Sequence, residues 1–220
     1  MTDFAARYRR VLGRIQEAAA RSGRDPASIR LIAVTKTVPA ERIREAVDCG
    51  VRDVGENRLQ EGLPKREALA DPNVTWHFIG RLQTNKAKKV AEAFDWVQSV
   101  DRIELAQKLN QHLEAKRLPV LIEVNLNAEE TKSGADESQL PQLVDALAHC
   151  DRLELRGLMA IPPLLNDAEA VRPYFKKLRE LAGRFGFKEL SMGMSHDFEV
   201  AIEEGATMIR VGSALFGERT

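Results

Sequence analysis

Cysteine is scarce in this chain, with Cys49 and Cys150 its two copies in 220 residues. A disulfide framework does not fit that number at that length, and a reducing, cytoplasmic setting is expected. Neither sign of charge prevails, since Lys+Arg and Asp+Glu stand at 33 each. The basic excess of a nucleic-acid binder is therefore missing. No apolar run approaches the roughly 20 residues that span a bilayer. The opening "MTDFAARYRR" carries an early acid and no apolar signal-peptide core, so no membrane partner and no export are expected. The four histidines, His77, His112, His149 and His196, lack the i, i+4 spacing of helical ligand pairs. No metal site is expected from them. Linkers, low-complexity tracts and short repeats are also missing.

What is present is an alternation of two periods. Eight short runs read as strands: "LIAVTK" (31–36), "DVGEN" (53–57), "WHFIG" (76–80), "WVQSV" (96–100), "PVLIEVN" (119–125), "LELRGLMAI" (153–161), "KELSMGM" (188–194) and "MIRVGSALFG" (208–217). Helical stripes separate them, such as Leu140, Leu143, Val144 and Leu147, or Val171, Tyr174, Phe175, Leu178 and Leu181. A further helix precedes the first strand, with Phe4, Tyr8, Val11 and Ile15 on one face. Pro39 and Asp101 read as helix starts. Gly50 and Gly205 read as C-terminal caps. Strands alternating with helices imply parallel pairing through right-handed crossovers. Eight such units predict an α/β fold: a single-domain (β/α)8 TIM-like barrel over residues 1–220, with an extra N-terminal helix. An open doubly wound sheet would carry a glycine-rich loop after its first strand. Here that loop reads "TKTVPAE", without glycine.

Barrel chemistry sits where the strands end. Those ends gather Lys36, Glu56, Asn57, the stretch from His77 to Gly80, Ser99, Asn125, Met159, Ser195, and the group Arg210, Gly212 and Ser213. Phosphate sites in such barrels use the loops after strands seven and eight, with glycine for close backbone approach and a hydroxyl beside it. Gly212 and Ser213 supply both, and Ser195 supplies a second hydroxyl. Ser195 as a plain helix N-cap and Gly212 as a plain strand-end glycine remain open at this point. Lys36, facing that cluster, suggests a Schiff base to a phosphorylated aldehyde. The amine must lose its proton to attack, and Arg210 on the neighbouring strand is a candidate cation to favour that. A solvated strand-end lysine is the plainer alternative.

The ordered segments "LIAVTKTVPAERIREAV", "GENRLQEG", "WHFIGRLQTNK", "LIEVNL", "KSG", "LRGLMAIPP" and "LSMGMSHDFEVAIEEGATMIRVGSALFG" span positions 31 to 217. They resemble the pyridoxal 5′-phosphate homeostasis protein family of the YggS/PROSC type, similar to the N-terminal barrel of alanine racemase. The resemblance implies pyridoxal phosphate as cofactor. The family's Schiff-base lysine falls on Lys36, its phosphate segments on Ser195 and Gly212–Ser213, and its pyridine-facing arginine on Arg210. The asparagine of "GEN" falls on Asn57, and the histidine of "WHFIG" on His77. Two positions depart from the pattern: Ser213 stands where threonine is usual, and His196 where an acid is common.

The resemblance further implies a carrier or buffer of pyridoxal phosphate (vitamin B6) rather than an enzyme. Racemases of the related type use a second base, a tyrosine from a separate C-terminal domain. The chain stops at Thr220, close behind the eighth strand, and Tyr8 and Tyr174 read as packing residues. No catalytic residue is therefore assigned. A pyridoxal-phosphate-dependent amino-acid racemase of low activity is the alternative, and a cofactor-free phosphosugar enzyme is a third reading. Expected partners are the cofactor itself and apo forms of enzymes that use it, with the chain a monomer. "TNKAKKV" (84–90) reads as a solvated helical face, with Lys86 near the mouth. "TKSG" (131–134) reads as a polar loop that could gate the site, with Lys132 a candidate second imine position.

Overall fold

The computed structural model of the chain describes residues 3–126 and 133–217. Eight strands close a barrel in sequence order: β1 (Arg30–Val34), β2 (Asp53–Glu56), β3 (Thr75–Phe78), β4 (Trp96–Val100), β5 (Leu118–Glu123), β6 (Leu153–Met159), β7 (Glu189–Ser191) and β8 (Met208–Val211). Every neighbouring pair is parallel, including β8 with β1. Around them lie α1 (Asp3–Arg21), α2 (Ala40–Asp48), α3 (Leu59–Leu69), α4 (Ala87–Ala93), α5 (Ile103–Gln111), α6 (Leu140–Ala148), α7 (Arg172–Arg184), α8 (Phe198–Glu203) and α9 (Ser213–Phe216).

The period of two along each strand sorts side chains into two cores. Ile32, Leu121, Met159 and Met208 meet inside the barrel, with Trp96 against them. Their neighbours Ala33, Val54, Val97, Val120, Ile122 and Leu158 face outward and meet the helices. Each fully buried aliphatic side chain contributes about 1.5–3 kcal/mol, so the outer layer carries most of the driving force.

Three sequence expectations shift at element ends. The run 208–217 is not all strand. It stops at Val211, and Ser213–Phe216 turns into α9, because Ala214 and Leu215 favour helix once the ladder ends. Pro39 is the N-cap of α2 rather than a first-turn residue. Arg102, not Asp101, is the N-cap of α5, and the Asp101 carboxylate pairs with the Arg102 guanidinium instead. Gly50 and Gly205 do follow the C-caps of α2 and α8.

The leading helix has a structural task. α9 is one turn long, too short to cover the seam between β8 and β1. α1 lies there instead, against α8, α9 and α2. Val11, Ile15, Ala18 and Ala19 form its buried stripe. Phe4 packs on Phe216 with ring centroids 5.3 Å apart. Arg14 bonds Glu199 at 2.5 Å, and the Arg24 guanidinium donates to the carbonyls of Ile202 and Ala206.

Candidate functional site

β1 ends at Val34, but the Thr35 amide still donates to the Gly55 carbonyl at 3.0 Å and extends the ladder by one residue. Lys36 follows in a turn and is half-buried. Both of its neighbours are fixed by charged groups. The Lys65 ammonium on α3 donates to the Thr35 carbonyl and to Glu56 Oε1, each at 2.8 Å. Thr35 Oγ1 donates to the same carboxylate at 2.5 Å. On the other side Glu61 Oε2 accepts the Thr37 amide at 2.9 Å, a bond that lowers the Glu61 pKa more than any other influence. Thr37 itself takes φ of 64°, a left-handed conformation unusual for threonine. Glu56 is fully buried, and burial pushes its carboxyl pKa up against the pull of Lys65 and Thr35.

Beside β1, the loop after β7 meets the chain after β8. Gly193 takes φ of 89°, and a β-carbon there would sit 2.5 Å from that of Ala201. Glycine therefore lets the chain turn tightly into Met194 and Ser195. Asp197 Oδ1 accepts the Met194 amide at 2.6 Å. Ser195 Oγ accepts the amides of Gly212 and Ala214 at 3.1 and 3.3 Å. Ser195 is thus not a cap of α8, whose N-cap is Asp197. It joins the two loops that the sequence assigns to an anion. Ser213 stands exposed beside them.

Arg210 is buried inside β8. Its Nη1 donates to Ser191 Oγ at 2.6 Å and its Nη2 to the Ala160 carbonyl at 2.8 Å. Burial lowers its pKa to about 10, while the carboxylates of Glu123 and Asp197 push it back up. Both acids are themselves shifted up by burial. At neutral pH the guanidinium is charged. In register Arg210 stands opposite Ile32, four positions before Lys36 on the adjacent strand.

Asn57 and His77 separate. Asn57 follows β2 with its Oδ1 buried and without a hydrogen-bond partner. Gly80 lies so close that a β-carbon there would be 2.2 Å from the Asn57 carbonyl oxygen. Asn57 also lines a cavity of about 790 Å³ with Arg58, Phe78, Arg81, Lys86 and Arg102, between the loops after β2, β3 and β4. Lys36, Arg210 and Ser195 are not in that lining. His77 is wholly buried in the barrel interior, with Nε2 2.8 Å from Asp53 Oδ1 and Nδ1 3.1 Å from Gln98 Nε2. Its ring stacks on Trp96. Burial lowers its pKa despite the attraction of Asp53.

Lys88 and Lys89 of the lysine-rich segment are exposed on α4, and Lys86 is half-buried. Thr131 and Lys132 lie outside the described residues. Ser133 does not, and its Oγ donates to Glu123 Oε1 at 2.7 Å. His196 is exposed. Among the described residues no three His, Cys, Asp or Glu side chains are grouped to hold a metal ion. No helix of these residues is long and apolar enough to cross a membrane.

Sequence reasoning overlooked Lys65, Glu61, Asp53, Gln98, Ser191, Glu123 and Asp197. A signal existed for some of them. Gln98 and Ser191 are polar positions within strands that otherwise read as buried, and Glu61 and Lys65 are an i, i+4 pair of opposite charge.

The profile of the alanine racemase N-terminal domain matches residues 11–220. The pyridoxal phosphate homeostasis protein of Pseudomonas aeruginosa is 48% identical, over all of this chain and 97% of that protein. PipY of Synechococcus elongatus, solved with pyridoxal phosphate bound, is 39% identical with a TM-score of 0.83, over 93% of this chain and all of that one. Alanine racemase of Corynebacterium glutamicum shares the fold alone, at 17% identity and a TM-score of 0.69, over 95% of this chain and 60% of the racemase. With a barrel of this form, and nearly half its residues shared along the whole length of such a relative, the chain belongs to the pyridoxal phosphate homeostasis protein family, within the alanine racemase N-terminal domain fold.

Proposed function

We propose that this chain binds pyridoxal 5′-phosphate at the barrel mouth and serves its homeostasis, as a carrier rather than a catalyst of turnover. The observation that carries the reading is the pairing of two neighbouring and separately braced elements at the mouth. One is the Lys36 turn, and the other is the Ser195–Gly212 junction with Arg210 behind it. The residues fit the cofactor's chemistry. The orphaned Asn57 Oδ1 is an acceptor in need of a donor, and the junction of Ser195, Gly212 and Ser213 suits an anion. PipY, which shares this fold and 39% of its sequence, was solved with that cofactor bound.

Pyridoxal phosphate supplies an aldehyde that a primary amine captures reversibly with loss of water. Lys36 Nζ is the amine in this reading, and it attacks only when unprotonated. Ser195, Gly212 and Ser213 hold the phosphate, and Arg210 and Asn57 orient the ring. His77 belongs to the site through its bonds to other residues. Arg210 also supports the carrier reading. A charged guanidinium facing a pyridine nitrogen leaves that nitrogen unprotonated, whereas an acid would strengthen the ring as an electron sink. Neither tyrosine of the chain is placed as a second base in this reading. Tyr8 packs near Gly50 on the outside of the barrel, and Tyr174 packs on the helical layer. The protein acts as a single-domain monomer in the cytoplasm, handing the cofactor to apo enzymes that need it.

Incubation with pyridoxal phosphate, borohydride reduction and peptide mapping tests the reading. The label is expected on the Lys36 peptide and absent in Lys36→Ala. Label on another lysine, or none in the wild type, overturns it. Lys36-dependent interconversion of L- and D-alanine would overturn the carrier role alone.

A further inference from the structure

The barrel interior contains a line of polar side chains that reaches from Arg210 to the opposite end of the strands. Arg210 Nη1 donates to Ser191 Oγ (2.6 Å), and Ser191 Oγ to Gln98 Oε1 (2.7 Å). Gln98 Nε2 is 3.1 Å from His77 Nδ1, and His77 Nε2 is 2.8 Å from Asp53 Oδ1. Asp53 opens β2 at the foot of the barrel, where Arg30 lies 3.7 Å from it. Arg210 lies near the upper end of β8. Ser191, Gln98 and His77 are each fully buried.

The bonds share one direction. A guanidinium only donates, so Ser191 Oγ accepts from it, and the serine proton goes to Gln98 Oε1. That leaves the Gln98 amide nitrogen for His77 Nδ1, which must then be the bare ring nitrogen. The remaining proton sits on Nε2 and faces Asp53 Oδ1. Four bonds thus point one way, from a guanidinium to a carboxylate oxygen. In this arrangement every buried donor along the line meets an acceptor. The Ala160 carbonyl holds the second guanidinium nitrogen, so Arg210 has little freedom to turn.

We propose that Ser191, Gln98 and His77 are positioning residues, which together with Asp53 hold Arg210 in one orientation as a charged donor and so set the grip of the mouth on its ligand from the far side of the barrel. This rests on the reading of Arg210 as a contact of the pyridoxal phosphate ring. The ligand perturbs Arg210, and the one-way chain carries that perturbation to the His77 imidazole, a group the ligand does not touch.

The test uses the full-length protein with pyridoxal phosphate as probe, in wild type, Ser191→Ala, Ser191→Thr and Gln98→Met. Three quantities are read: Kd by absorbance titration, the imidazole ¹⁵N shifts of His77 with and without the probe, and Tm. The unliganded wild type is expected to show His77 protonated on Nε2 and bare on Nδ1, with both shifts moving when the probe binds. Loss of the Ser191 bond to the charged guanidinium should weaken binding about tenfold in Ser191→Ala, loss of the Gln98 link that orients Ser191 should weaken it by several-fold in Gln98→Met, and His77 should cease to respond in both. Ser191→Thr keeps the hydroxyl and should retain both properties. The proposal is overturned if the two deletion variants fold and bind within twofold of wild type. It is equally overturned if His77 carries the opposite tautomer or ignores the probe in the wild type. A lowered Tm with unchanged Kd would reduce these residues to packing. Failure of the wild type to take up pyridoxal phosphate at all would instead sink the functional reading, and with it the ligand named here.

Discussion

Lys36 and Arg210 are both cations near the upper end of adjacent strands, yet the fold secures them differently. At Lys36 the fixed atoms belong to the neighbours. Charged groups of α3, outside the barrel, grip the carbonyl of Thr35 and the amide of Thr37. At Arg210 the fixed atoms are those of the guanidinium itself, held from inside the barrel by a hydroxyl and a carbonyl. The difference suits the two tasks proposed for them. A side chain that must form and break a bond needs a rigid base, whereas a side chain that only orients a ligand needs a rigid tip. The two braces also differ in composition: the outer one is ionic, and the inner one is a neutral chain with charge at its ends.

The largest expected effect separates the ionic brace from the neutral one. Lys65→Met leaves Glu56 buried with no cation beside it, and breaking such a pair costs about 3–5 kcal/mol. In a domain of this size that is a Tm fall of about 10 °C. The double variant Glu56→Gln with Lys65→Met should recover most of it, measured by thermal melting. A single variant as stable as wild type would mean that α3 does not hold the Lys36 turn.

Ser195→Ala tests the junction that faces both braces. Removing the acceptor of two half-buried amides should lower Tm by about 2–5 °C. Binding of pyridoxal phosphate should weaken about tenfold, while pyridoxal, which lacks the phosphate, should be affected far less. Equal losses for both ligands would place Ser195 away from the phosphate.

The smallest effect reads the inner chain through pH. Burial holds the folded-state pKa of His77 below its ordinary value. Below about pH 6.5 the unfolded chain takes up a proton that the folded chain refuses. His77 therefore subtracts stability as pH falls through that value towards its folded pKa. Glu56, Glu123 and Asp197, with raised pKa values, act in the opposite direction as they protonate. The informative quantity is the difference in Tm against pH between wild type and His77→Asn. The variant should lose less stability between about pH 7 and 5, and parallel curves would mean that His77 is not held neutral.

The barrel was legible because its strands and helices have different periods, and because "TKTVPAE" lacks the glycines of a dinucleotide loop. The positions of Lys36, Ser195 and Gly212 after strand ends were legible because each ends or follows an apolar run, and the structure brings Ser195 and Gly212 together. Both braces were harder to read. Lys65 reaches the Lys36 turn from a separate helix, and only the packing of α3 on β1 and β2 brings it there. The direction of the chain from Arg210 to Asp53 depends on five strands, and spacing within one strand cannot reveal it. Ser195 shows the limit of local pattern. It precedes a helix and looks like its cap, but tertiary structure gives that place to Asp197 and turns Ser195 towards β8.

The one-turn α9 has a consequence for how the molecule comes together. Since α1 must stand in for the missing length, its packing is complete only when residues about 185 positions later exist, as the Arg14–Glu199 bond spells out. A growing polypeptide can lay α1 against α2 early, but the last seam of the ring can shut only when the final helices emerge.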